Sequence, residues 1–137
     1  AEIEIGKDKT DGMLATQGGR FGGWGLYIHE GRPKFVYNLA NLKRTFIVGE
    51  PLSPGAHTIR YEFEYKDGTK LGGGGHGTLF VDGKKVADSR IDQTMGYRIS
   101  LDETFDIGAD AGEPVSEDYH VPFDFGGKLN KVVVKLK

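Results

Sequence analysis

Hydrophobic and polar residues alternate along most of this chain, and period-two alternation predicts β-strands with one buried and one wet face. Ile3 and Ile5 alternate with Glu2 and Glu4. Trp24, Leu26 and Ile28 alternate with Gly25, Tyr27 and His29. Phe35, Tyr37 and Leu39 share one face, and Phe46 and Val48 another. Thr58 to Lys66 is the clearest run, with Ile59, Tyr61, Phe63 and Tyr65 on one side and Arg60, Glu62, Glu64 and Lys66 on the other. Met13 and Ala15 alternate less cleanly with Leu14 and Thr16. Lys128 to Lys137 closes the chain with Val132, Val134 and Leu136 set against Lys131, Val133 and Lys135.

Turn signals separate these runs. Asp82-Gly83 accepts the two positive φ angles of a type I′ hairpin turn. Glu30-Gly31-Arg32-Pro33 breaks two strands, and Leu52-Ser53-Pro54-Gly55 precedes the clearest one. Gly72 to Gly75 reads as a mobile loop tip, because glycine loses the most entropy on ordering. Residues 106–121 are acidic and turn-rich and form the one long non-strand stretch. No helix is predicted. Many short strands at even spacing predict an all-β, two-sheet antiparallel sandwich, with the first and last strands close together as in jelly rolls.

Composition narrows the function. The 137 residues make one domain, 1–137, large enough to bury roughly two-thirds of its unfolded surface. With no Cys, disulfides and thiolate metal sites are excluded. A net charge of -2, from 18 basic and 20 acidic residues, points away from nucleic acid and membrane surfaces. No apolar run reaches the roughly 18 residues of a membrane span, and the N-terminus is not a signal peptide. The chain is expected to be soluble. Ala1 in place of an initiator Met suits a mature form or an excised domain.

Several groups carry candidate chemistry. Glu62 and Glu64 project the same way, about 6.5–7 Å apart at the backbone. Carboxylates at about 5–9.5 Å serve glycoside hydrolysis. The order Glu62-x-Glu64-x-x-Asp67 nevertheless departs from the E-x-D-x-x-E of sandwich glucanases. The plainer reading is a solvated face with Arg60 and Lys66 as ion-pair partners. Asp106, Asp110 and Glu113 offer oxygen ligands for calcium, or else cap turns in a solvated loop. Trp24, Tyr27, Tyr37, Tyr97 and Tyr119 are candidates for a sugar-stacking platform. Trp24 and Tyr27 fall on opposite strand faces, so both are not expected in the core. Arg20 is a candidate anion contact. His29, His57, His76 and His120 lack metal-ligand spacing and read as surface or loop residues. The run Gly72 to Gly77 lacks the Lys-Ser/Thr of a phosphate loop and leads into a strand, so no helix dipole awaits a phosphate.

A family likeness adds to this reading. The run Gln17 to Tyr27, then Tyr37-Asn38, the Glu50-Pro51-Leu52 turn and His57-Thr58-Ile59-Arg60 follow in order. Leu79 to Ala87 follows, then Asp102 to Gly108 and Asp110 to Ser116. Together they resemble the C-terminal β-sandwich of long bacterial arylsulfatases. The resemblance spans about residues 12–136. It implies a concanavalin-A-like jelly roll of the lectin and glucanase type, in a bacterial protein whose catalytic domain hydrolyses sulfate esters. The sulfatase nucleophile arises in C/S-x-P-x-R, and Ser53, Ser89, Ser100 and Ser116 do not begin that motif. The chain itself is therefore expected to be a non-catalytic accessory domain, packed on the catalytic domain of the same or a neighbouring chain. A free-standing module for glycans or sulfated glycans is the alternative. A small glycoside-active enzyme using Glu62 and Glu64 is the third reading.

Overall fold

A computed structural model describes residues 1–6, 10–19, 22–39, 43–65, 73–93, 105–110, 114–121 and 123–135. Among the described residues, ten strands are formed. They are β1 (Glu2–Ile5), β2 (Gly12–Gly19), β3 (Gly22–His29), β4 (Arg32–Leu39), β5 (Lys43–Val48), β6 (Gly55–Tyr65), β7 (Gly73–Val81), β8 (Lys84–Gln93), β9 (Phe105–Ile107) and β10 (Lys128–Lys131). They pair antiparallel in two five-stranded sheets, β10-β1-β6-β7-β8 and β5-β4-β3-β2-β9. The protein is an all-β sandwich, and its first and last strands are neighbours. No helix among the described residues is long and apolar enough to cross a membrane.

The alternation places the core. Ile3, Ile5, Ile59, Leu79 and Ile91 of the first sheet meet Leu14, Leu26, Ile28, Phe35 and Ile47 of the second. Each such side chain, fully buried, contributes about 1.5–3 kcal/mol relative to exposure. Two hairpins carry paired positive φ angles, at Glu30 (53°) and Gly31 (74°) and at Asp82 (52°) and Gly83 (83°). The predicted Asp-Gly turn therefore forms, joining β7 to β8. Glu30 has a side chain in the left-handed region, and the Asp11 carboxylate accepts hydrogen bonds from the amides of Glu30 and Gly31 at 2.9 and 3.0 Å.

Three expectations fail, each for a packing reason. Gly73 to Gly75 are not a loop tip but the start of β7; Gly72 lies outside the described residues. A Cβ at Gly75 would sit 2.2 Å from the Glu64 carbonyl oxygen, and one at Gly77 would sit 2.4 Å from the Tyr61 hydroxyl. The glycines make room for β6. The closing run also shortens: β10 ends at Lys131, and Val133 and Val134 are exposed.

The third failure concerns the acidic stretch. Where it is described, it is no solvated loop. Phe105–Ile107 pairs with β2 as an edge strand. Residues 114–121 and 123–125 form a strap over the outer face of the second sheet. Val115 and Tyr119 of the strap bury Met13, Tyr27 and Val36, with Val121 and Phe123 packed alongside. Main-chain bonds fasten it: Phe123 N–H to Asp110 O at 2.9 Å, Phe125 N–H to Gly108 O at 3.0 Å and Gly126 N–H to Asp11 O at 2.9 Å. The central strands β2, β3 and β4 are thus covered on both faces, while the edge strands β5 and β9 are not. Trp24, half-buried, packs against the inter-sheet core, while Tyr27 is fully buried under the strap.

Candidate functional site

The strap and the sheet beneath it hold most of the buried polar chemistry. Tyr27, fully buried on β3, donates its hydroxyl hydrogen to both Asp118 carboxylate oxygens, at 2.9 and 3.0 Å. Lys34, opposite Tyr27 on β4, pairs with the same carboxylate through Nζ. His29 Nδ1 lies 3.8 Å from it. Ser116 receives the Asp118 amide at 3.4 Å. Burial works to raise the Asp118 pKa, but hydrogen bonds from Lys34, Ser116 and Tyr27 prevail and hold it below the usual carboxylate range. Burial and the neighbouring Asp118 charge push the Tyr27 hydroxyl pKa far up, so it stays a donor.

Deeper under the strap, the Tyr119 hydroxyl donates to buried Asp110 at 2.5 Å and accepts the Val115 amide at 3.1 Å. Burial raises the Tyr119 pKa, and the Asp110 carboxylate adds to the shift. Asn38, also buried, donates to the Gly19 carbonyl at 2.9 Å. Arg44 of β5 donates to the Val115 carbonyl at 2.8 Å. The Tyr119 and Arg44 bonds stitch an irregular segment to its surroundings, and the Asn38 bond ties two strands of the sheet together.

The candidates divide accordingly. Asp106 is half-buried on β9, whereas Asp110 is buried and bound by Tyr119; Glu113 lies outside the described residues. No group of three His, Asp or Glu among the described residues is arranged to hold a metal. Trp24 packs against Phe35 and Phe105, with ring centroids 6.2 and 6.0 Å away. The Tyr27 ring is covered by Tyr119 at 5.3 Å and Phe123 at 6.0 Å. Trp24 and Tyr27 therefore do not share a surface. Arg20 and Tyr97 lie outside the described residues.

Glu62 and Glu64 do share a face, the open outer face of the first sheet. Arg60 Nε lies 3.3 Å from Glu62, and its guanidinium sits 4.2 Å from the Phe80 ring centroid. Lys66 is outside the described residues. Glu64 stands opposite His76, and His76 Nε2 lies 2.6 Å from Asp88, which also pairs with Lys85 at 3.3 Å. Hydrogen bonds from His76, then Lys85, lower the Asp88 pKa. The result is a set of paired opposite charges on an exposed face.

The sequence reading missed Lys34, Asp118 and the pairing of Asp110 with Tyr119. Spacing offers no clue, since 84 residues separate Lys34 from Asp118. Asp110 itself was singled out from the sequence, but as a candidate cation ligand and not as the buried acceptor of the Tyr119 hydroxyl. Large apolar side chains remain exposed on the edge strands of the second sheet: Phe46 and Val48 on β5, and Phe105 and Ile107 on β9. Comparison with known protein families, characterised proteins and solved structures finds no match.

Proposed function

We propose that this chain is a non-catalytic β-sandwich module that packs against a sulfatase-type catalytic domain and shapes or stabilises it. One observation carries the reading. Residues bearing the family likeness are engaged in architecture: Asn38 holds Gly19, Asp110 holds Tyr119, and Val115 covers Met13 and Tyr27. Their polar groups face partners within the fold. Four of the exposed apolar side chains, Phe46, Val48, Phe105 and Ile107, lie on the two edge strands of the second sheet, where a neighbouring domain would find surface to bury.

Two measurements test it. The complete reading frame is expected to encode an upstream C/S-x-P-x-R. A glycan array with sulfated and unsulfated members is expected to show no retention of the isolated chain. A frame without that motif, or selective glycan binding, overturns the accessory role; binding would favour a carbohydrate-binding module. Glycan hydrolysis that is lost in Glu62→Gln would instead establish the enzyme reading.

A further inference from the structure

The chain crosses from the second sheet to the first at residues 49–54, between β5 and β6. His57, at the start of β6, is packed under this crossing with only 10% of its side chain exposed. Its Nδ1 lies 2.8 Å from the Asp82 carboxylate on the β7–β8 turn, and its Nε2 lies 2.6 Å from the Ser53 carbonyl. Both partners are acceptors. An imidazole satisfies two acceptors only when both nitrogens carry hydrogen, so the geometry selects the imidazolium. We propose that His57 is a proton-operated latch that ties the inter-sheet crossing to the β7–β8 hairpin and lets the crossing go when the ring turns neutral.

The surroundings favour the charged ring. The charged groups on the elements around His57 include Asp82, Lys84 and Lys85 of the hairpin, Glu50 of the crossing, Glu2 and Glu4 of β1, and the Ala1 ammonium that precedes it. Among the described residues, Asp82 is the one within ion-pair distance. Glu50 faces Arg32 at 3.7 Å, and the Ala1 ammonium donates to the Ile59 carbonyl at 2.7 Å. Burial works to lower the His57 pKa, but the bonds to Asp82 and Ser53 outweigh it and raise the pKa above the ordinary 6.5. Asp82 is held low, chiefly by the Thr58 amide and then by His57. On deprotonation the stronger, charge-assisted bond to Asp82 keeps its hydrogen. The Nε2 lone pair then faces the Ser53 oxygen, and that contact opens.

The sign follows from the raised pKa. The latch stabilises the fold fully below pH 6.5 and loses its contribution as pH rises through the folded value. The Ala1 amine, whose pKa is lowered chiefly by burial, acts in the opposite sense, so a ring-specific readout is needed. Ring ¹⁵N chemical shifts across a pH series provide it. Both His57 nitrogens are expected to be protonated at pH 6.5, with a midpoint above that value, and the Ser53 carbonyl ¹³C shift should follow the same curve. Asp82→Asn keeps an acceptor for the Thr58 amide and tolerates the 52° φ at this position. It is expected to move the midpoint down and flatten the fall in Tm above pH 6.5. A parent midpoint at or below 6.5, or a Ser53 carbonyl indifferent to the ring's titration, overturns the latch.

Discussion

Two tyrosines separate a buried hydroxyl that does something from one that does not. Tyr61 stacks on Phe35 with ring centroids 3.5 Å apart, and its buried hydroxyl has no hydrogen-bond partner among the described residues. An unmade bond costs the desolvation of the group, about 1–3 kcal/mol, and removing the group recovers it. Tyr61→Phe is therefore expected to leave stability unchanged or raise it by about 1 kcal/mol in urea melts. Tyr119→Phe is expected to lower it by about 2–3 kcal/mol, because buried Asp110 loses a donor and the Val115 amide an acceptor. Equal effects of the two substitutions would contradict this account.

How legible an element was depended on whether one of its faces stays wet. Strand β6 was plain because Arg60, Glu62 and Glu64 remain exposed while Ile59 is buried. Strand β2 was blurred because Met13, Leu14, Ala15 and Thr16 are all buried, some against the other sheet and some under the strap. The strap itself has no period to read, since turns bury its side chains irregularly. Its cluster depends on Lys34 and Asp118, which only the finished fold brings together. Strand β7 was misread because the reason for its glycines is on β6. That reason predicts an order of effects. At Gly77 the added Cβ meets the Tyr61 side chain, which can shift; at Gly75 it meets the Glu64 backbone, which cannot. Gly77→Ala should cost about 1–3 kcal/mol, with part recovered in combination with Tyr61→Phe, and Gly75→Ala should cost more. Urea melts of the four variants give the ranking, and a milder loss at Gly75 would refute it.

For the molecule as a whole, the sandwich and its strap are held by different forces, and this makes them separable. The inter-sheet core is apolar, and its buried members carry no titrating group. The strap combines an apolar contact with an ionised anchor of its own, Asp118, bound by Lys34 and Tyr27. Its lowered pKa means that the anchor's contribution is present above the ordinary 3.8 and is lost as pH falls through the folded value. Acidification should therefore lift the strap before the sandwich unfolds. Hydrogen exchange gives the readout, because the Met13 amide donates to the strap's Phe123 carbonyl at 3.3 Å while the Ile59 amide donates to Ala1 O at 2.8 Å, away from the strap. Met13 should lose protection as the pH falls below 3.8, through the lowered Asp118 value, while Ile59 stays protected. Lys34→Met should mimic acid at pH 7, at a cost of about 1–3 kcal/mol, since it leaves the half-buried carboxylate without its cation. Simultaneous loss of protection at both amides would mean that strap and sandwich form one cooperative unit. In that case the second sheet could not exist with its outer face bare.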